Sequence, residues 1–469
     1  MVQLLNQLST VTSTLGAIVL IPVILFVICL ISGVTVEKSF RSALLCAVGL
    51  QGFNLVINSY GAIVGPVVQS MVDNAGINLP CIDTGWQSVS VIAYSTTVGI
   101  LFIGLALIIQ LVLFLVKWTD VFMASDLWNN YSFMVWGSMI FALTNNMGLA
   151  MACMITQLLY ILLFSEVIAK RWSTHYQYPN CCMTAPHHME AVPFAMCMNW
   201  LMNKIGLNKI KVDAASIQKK FGLFGEPMFI GLIVGLIIGI LGNLQGIGTL
   251  AGWGTIMAVA ISTSAIMVVF PKVGAVFASA FTFLTDAFRA KAAKSGENRE
   301  WYLAVNDAAG YGETNTLTTG VLLIPIMLGL SFVLQGAGNR MLPMADLVAL
   351  PYMVEVFVCT SHGNVPKSLI MGAIWFSIGL VVCSNLAPTF TEIAKGVGFE
   401  IPGTATFIMS FGIMAHPFMA GLFYAFWKFG FIALIPLAVI YFVLYFAFKK
   451  NRQAIYAWLE SNGGVADTQ

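Results

Sequence analysis

His187, His188 and Glu190 fall within four residues, in the stretch Thr184-Ala185-Pro186-His187-His188-Met189-Glu190. Two imidazoles and a carboxylate can donate and accept hydrogen bonds to several hydroxyl groups at once. The same groups ligate metals. Adjacent histidines point apart, however, and the i, i+4 spacing of a helical zinc pair is missing, so no metal site is expected. A solvated surface loop is the plainer alternative. A second polar turn, Thr360-Ser361-His362-Gly363-Asn364, offers another imidazole and an amide. Gln51, Asn54 and Asn58 recur at spacings of three and four, which puts three amides on one helical face. Asn145 and Asn146 interrupt an apolar run, as broken helices do at transporter sites. These groups suit a ligand rich in hydroxyls; interhelical hydrogen bonding by the three amides and an ordinary polar turn at Asn145-Asn146 are the plainer alternatives. The candidate binding residues are Gln51, Asn54, Asn145, Asn146, His187, His188, Glu190, His362 and Asn364, with Asp83, Glu226 and Glu313 as secondary candidates. Glu190, or alternatively Glu226, is the candidate general base for a hydroxyl proton.

The elements that carry these residues are membrane helices. Of 469 residues, 59% are hydrophobic and 9% charged, against about a quarter charged in a globular domain. Repeated runs of about 20 apolar residues mean a polytopic membrane protein. The net charge of +2 implies no nucleic-acid partner. Nine cysteines show neither zinc spacing nor a disulfide framework, and no cofactor is expected. The first apolar run lacks the basic flank of a removable signal peptide. With almost no soluble mass for an enzyme domain, transport is the default class.

The expected fold is all-α, one membrane domain over 1–469 with about eleven spans and two re-entrant hairpins. The first repeat covers about 1–205, with spans near 15–33, 43–65, 91–116, 131–143 and 148–168 and a hairpin at 173–202. A lysine-rich cytoplasmic linker occupies 203–220. The second repeat covers about 221–448. It opens on a helix starting at Pro227, whose Gly231, Gly235 and Gly239 form a close-packing face. Spans near 253–270, 306–334, 368–385, 405–426 and 431–448 follow, with a hairpin at 342–367, before a tail at 449–469. The distribution of Lys and Arg puts the N-terminus outside and the C-terminus in the cytoplasm. The hairpins enter from opposite sides, as inverted repeats require; their order pairs His187 and His188 with His362.

The block QKKFGLFGEPMFIGLIVGLIIGILGN, residues 218–243, resembles the FG-FGEP block of the galactitol-type IIC permeases of the bacterial sugar phosphotransferase system. Weaker similarities are GLQGFNLVI at 49–57, Asp83-Thr84-Gly85-Trp86, Asp126-Leu127-Trp128-Asn129, Ala185-Pro186-His187 and Leu342-Pro343 to Asp346-Leu347. The family pattern continues past Pro186-His187 with Gly and small hydroxyl residues; this chain has His188, Met189 and Glu190 instead. The resemblance implies a polyol or related sugar as substrate, and phosphorylation by a cytoplasmic IIB subunit that carries a phosphocysteine and is itself supplied by IIA. Similarity to the ascorbate permease implies a homodimer in which a core slides past a scaffold. It also implies a bacterial inner-membrane location in contact with lipid. The rival class is an ion-coupled secondary transporter, with Glu190, Glu313 and Glu355 as proton carriers.

Overall fold

The computed structural model describes residues 18–463 apart from 20, 21, 24, 76–78, 127, 211, 285, 288–298, 400 and 402–404. Among the described residues, six helical segments are long and apolar enough to cross a membrane: Thr97–Leu115, Met147–Tyr176, Leu250–Leu284, Thr314–Ala337, Val365–Gly396 and Pro417–Glu460. Tyr131–Thr144 and Pro227–Gly242 are shorter apolar helices. The expected span at 15–33 lies partly outside the described residues. The one at 43–65 falls inside α1, Val36–Ala75, whose 40 residues extend about 60 Å.

The all-α expectation needs correction. Among the described residues, six strands form two small sheets: β1 Cys81–Asp83, β2 Val121–Phe122, β3 Cys181–Met183, β4 Tyr302–Val305, β5 Met341–Leu342 and β6 Phe407–Met409. Their orders are β5-β1-β6 and β2-β4-β3, and all four pairings are parallel. Strands of two to four residues are too short to show the alternation by which strands are recognised in sequence. They also explain how non-helical backbone is tolerated in an apolar protein, because each strand satisfies its N–H and C=O groups against a neighbour.

The remaining helices that matter are α2 Trp86–Ser95, α3 Thr97–Leu115, α4 Tyr131–Thr144, α5 Met147–Tyr176, α6 Pro186–Met189, α7 Val192–Lys204, α8 Ala214–Phe221, α9 Pro227–Gly242, α10 Leu250–Ser279, α11 Ala308–Tyr311, α12 Thr314–Val333, α13 Leu350–Met353, α14 Glu355–Thr360, α15 Val365–Gly396, α16 Phe411–Met414, α17 Pro417–Phe429 and α18 Leu434–Glu460. Every strand runs within a few residues into a short helix or turn. The segment 173–202 is therefore not one bent helix. It is the end of α5, then β3, then α6 and α7. The segment 405–426, expected as a span, consists of β6, α16 and most of α17.

The glycine face of the central helix packs as its spacing requires. A Cβ on Gly231 would lie 2.7 Å from the Thr263 carbonyl oxygen. One on Gly235 would lie 2.6 Å from Ala260 Cα, and one on Gly239 3.0 Å from Ile256 Cα. Backbone meets backbone along α9 and α10, so dispersion contacts replace a hydrophobic driving force that lipid cannot supply. Pro227 occupies the first turn and Glu226 the N-cap, though the Glu226 side chain makes no capping bond.

At one end of the molecule α3, α5 and α18 are joined by charge. Asp120 binds Arg299 at 2.7 Å and Arg452 at 2.5 Å, and Lys449 reaches Glu166 at 2.5 Å. Burial pushes the Asp120 carboxyl up, but Arg299, Lys449 and Arg452 outweigh it and hold the group below the usual aspartate range.

Gly235→Leu should lower the thermal stability of the detergent-purified protein by about 1–3 kcal/mol or abolish folding. Gly254→Leu on the open side of α10, where a Cβ meets nothing within 4 Å, should leave it unchanged. Equal melting of both variants would remove the close-packing account.

Candidate phosphotransferase permease site

Each sheet ends in a buried polar knot, and the two knots differ. Beyond the β5-β1-β6 sheet, Asp83 Oδ1 accepts the N–H groups of Gly85 and Phe411, both at 3.0 Å. Its Oδ2 accepts those of Met344 at 3.0 Å and Asp346 at 2.8 Å. Asp346 accepts from Trp86 N–H at 3.2 Å, the Ser410 hydroxyl at 2.7 Å and Gly412 N–H at 2.8 Å. Two carboxylates thus tie down the loops after all three strands, bonded by six backbone N–H groups and the Ser410 hydroxyl. Asp83 is a structural clamp in this state.

Beyond the β2-β4-β3 sheet the partners are side chains. Asp126 accepts from the Thr184 hydroxyl at 3.1 Å and from Asn129 Nδ2 at 3.0 and 3.1 Å. His187, on the single turn of α6, has Nε2 3.2 Å from Asp307 Oδ2 and Nδ1 2.9 Å from Ser132 Oγ. Because Nε2 faces a carboxylate it donates, and Nδ1 accepts the serine proton. His188 Nε2 lies 3.4 Å from the same Asp307 oxygen, without hydrogen-bond alignment. Side-chain exposure rises from 0% at His188 and 5% at His187 to 16% at Asp307, so the cluster opens at the aspartate. The ligating atoms of these three lie within 4.8 Å of one another, a spacing that two imidazoles facing one carboxylate account for.

Glu190 lies next to this cluster on the other side of α6. Its Oε1 is 2.9 Å from His416 Nδ1, and its Oε2 accepts Met419 N–H at 2.7 Å. His416 Nε2 points at the Gly412 carbonyl oxygen at 2.8 Å. His416 Nε2 donates to the Gly412 carbonyl, and Nδ1 is hydrogen-bonded with the Glu190 carboxyl, so the two side chains form a buried pair. The rings of His187 and His416 are 6.2 Å apart. Glu355, fully buried, accepts from Trp172 Nε1 at 3.3 Å through Oε2, while its Oε1 has no partner.

The other sequence candidates are placed as follows. Asn145 is the left-handed C-cap of α4. Asn146 is the N-cap of α5, its Oδ1 accepting Leu149 N–H at 3.0 Å, and both asparagines are exposed. Gln51 is exposed on α1; the Asn54 and Asn58 side chains lie outside the described residues. His362 sits at φ 59° and donates from Nε2 to the Leu459 carbonyl at 2.7 Å. Asn364 caps α15 through Lys367 N–H at 3.1 Å and donates to the Ile210 carbonyl at 2.6 Å. Glu313 caps α12, accepting the N–H groups of Asn315 and Thr316 at 3.0 and 2.8 Å. His187, His188 and Glu190 are therefore brought together. His362, Asn364 and Glu313 have other partners. Asp307 and His416 complete the cluster and were not singled out from sequence. A usable signal existed: Ser410 and His416 stand six positions apart, as Thr184 and Glu190 do.

Residues 11–405 match the sequence profile of EIIC-GAT, described as the PTS system sugar-specific permease component. This chain belongs to that family. The permease is 26% identical over 387 residues to the PTS system galactitol-specific EIIC component of Escherichia coli K12, covering 82% of this chain and 83% of that protein. It is also 26% identical to a putative permease IIC component of the same organism, over 85% of this chain and 90% of that protein. The permease is thus a multi-pass inner-membrane protein of the sugar phosphotransferase system.

Asp83→Ala should strip an acceptor from four backbone donors and cost this permease about 3 kcal/mol or more, read as loss of folded protein in detergent. His187→Ala, which leaves every strand-end loop tied, should give folded protein in normal yield.

Proposed function

We propose that the permease binds a polyol of the galactitol class at the His187–His188–Asp307 cluster and carries it across the membrane as a IIB subunit phosphorylates it. The observation that carries the reading is the contrast between the knots. Backbone N–H groups supply six of the seven donors in one, the Ser410 hydroxyl being the seventh, whereas the other gathers two imidazoles and a carboxylate and opens at Asp307. Neutral imidazoles and a carboxylate match the donors and acceptors of a vicinal diol. In the transfer step the S–P bond of a phosphocysteine on IIB breaks, and the sulfur leaves as thiolate. A P–O bond forms to a substrate hydroxyl, whose proton passes to Asp307. Both oxygens of Glu190 are already engaged, so in this reading Glu190 positions α6 and α17, and Asp307 takes the role of base. His362 and Asn364 then belong to the cytoplasmic entrance.

We also read the two sheets as the mark of two inverted repeats. Exchanging β1, β2, β3 with β4, β5, β6 converts the order β5-β1-β6 into β2-β4-β3. Asp126 and Asp346 each follow the start of their strand by five residues, and each accepts a hydroxyl from the residue after a third strand, Thr184 or Ser410. On this reading the hairpin equivalent to β3-α6-α7 is β6-α16-α17, rather than 342–367. Glu190 and His416 are then equivalent positions meeting on the pseudo-twofold axis. The β2-β4-β3 side carries Lys117, Lys170, Arg171 and Arg299 and faces the cytoplasm by the positive-inside rule. The unit of α1, α9 and α10 serves as the scaffold and dimer side, past which the hairpin core moves.

Uptake of labelled galactitol into cells that also express the cognate IIA and IIB should depend on phosphoenolpyruvate and deliver galactitol phosphate. Uptake that follows a proton or sodium gradient and delivers free galactitol would favour the secondary transporter instead. Asp307→Asn and His187→Ala should each weaken galactitol binding at least about tenfold, the worth of one or two lost hydrogen bonds; unchanged affinity in both would move the site elsewhere.

A further inference from the structure

A second polar cluster lies at the far end of α14, and the galactitol reading does not use it. Arg171, in the last turns of α5, is 9% exposed. Its Nε donates to the Cys359 carbonyl at 3.2 Å, and its Nη1 pairs with Glu460 Oε2 at 2.6 Å. Its Nη2 lies 3.4 Å from His175 Nδ1. His175 Nε2 is buried without a hydrogen bond, 3.7 Å from Glu313 Oε2. His362 donates to the Leu459 carbonyl. Asn203 Nδ2 donates to the Asn462 carbonyl at 2.6 Å, and Lys367 Nζ donates to Asn203 Oδ1 at 2.7 Å.

The partners share one origin. Glu460, Leu459 and Asn462 all belong to the end of α18 and the turn after it. Leu459 packs into the apolar core, whereas Glu460 beside it is held through polar contacts and stays 29% exposed. A guanidinium and an imidazole N–H thus pair with a terminal element whose carboxylate, Glu460, sits where an incoming anion would bind, while the nearby Lys367 ammonium is held by Asn199 and Asn203 on α7. An arginine fork is matched to a phosphoryl group in geometry as well as in charge. The cluster is also well placed for delivery. Glu355 opens α14 beside the galactitol cluster, and Cys359, which Arg171 grips, lies four residues on, about 6 Å along the helix.

We propose that Arg171, with His362 beside it, is the receiving site for the phosphoryl group carried by IIB, and that Glu460 holds the site until the donor docks and displaces the end of α18. This rests on the phosphotransferase reading above. Removing an arginine from a transferring phosphoryl group costs orders of magnitude in rate.

The test uses the full chain in membranes with phosphoenolpyruvate, the general phosphotransferase proteins, the cognate IIA and IIB, and labelled galactitol. Arg171→Ala should lower galactitol phosphate formation at least about 100-fold, while purified variant binds galactitol within about twofold of wild type. Glu460→Gln should keep phosphorylation and reduce the phospho-IIB concentration for half-maximal rate about threefold. Phosphorylation by Arg171→Ala within threefold of wild type would overturn the proposal. So would loss of galactitol binding in that variant, or a Glu460→Gln variant as impaired as Arg171→Ala. No phosphorylation by the wild-type chain would instead sink the phosphotransferase reading itself.

Discussion

The hydrogen bond between Glu190 and His416 joins two segments that stand 226 residues apart in the chain. Both groups are almost wholly buried, so neither is tolerable alone in an apolar protein. Their meeting fixes where α6 stops and where α17 begins, through the Met419 N–H that Glu190 also accepts. Once α6 is fixed, His187 and His188 can point only toward the loop after β4, where Asp307 stands. The proposed site thus depends on a structural contact between segments far apart in the chain.

The short parallel sheets serve the same end by another route. Non-helical backbone deep in an apolar protein must find every hydrogen bond internally. Three strands side by side do this for their central residues, and the carboxylates at their ends do it for the loops beyond. Asp83 and Asp346 are engaged by backbone N–H groups and the Ser410 hydroxyl. Where Asp126 takes side-chain donors, His187 is held between Ser132 and Asp307, and His188 keeps both ring nitrogens without a hydrogen bond. The proposed site lies at the sheet end that is sealed by side chains.

Much of this was legible in the sequence, for physical reasons that can be named. The glycines at four-residue spacing in α9 announce a close helix contact, because only backbone can fill that gap. Pro186-His187-His188 and Glu190 stood out because buried imidazoles and carboxylates are costly without a task. The strands did not show, since Cys81–Asp83 or Met341–Leu342 is too short for any period. Asn145 and Asn146 looked like a ligand site and are exposed helix caps, because a broken helix and a polar turn carry the same residues. His416 was passed over for lying within what read as a continuous span, and Asp307 because one aspartate in a polar entry has no spacing to mark it. His362 was grouped with the other histidines by order alone, and its bond to Leu459 could not be foreseen from local sequence.

The most direct measurement is a double-mutant cycle on thermal unfolding of the purified permease, with Glu190→Gln, His416→Gln and the pair. The account gives each single variant a large loss of stability and the double variant a smaller loss than their sum, with a coupling of about 1 kcal/mol or more. Strictly additive losses would mean that the two groups do not hold the halves together, and the placement of His187, His188 and Asp307 would need another cause.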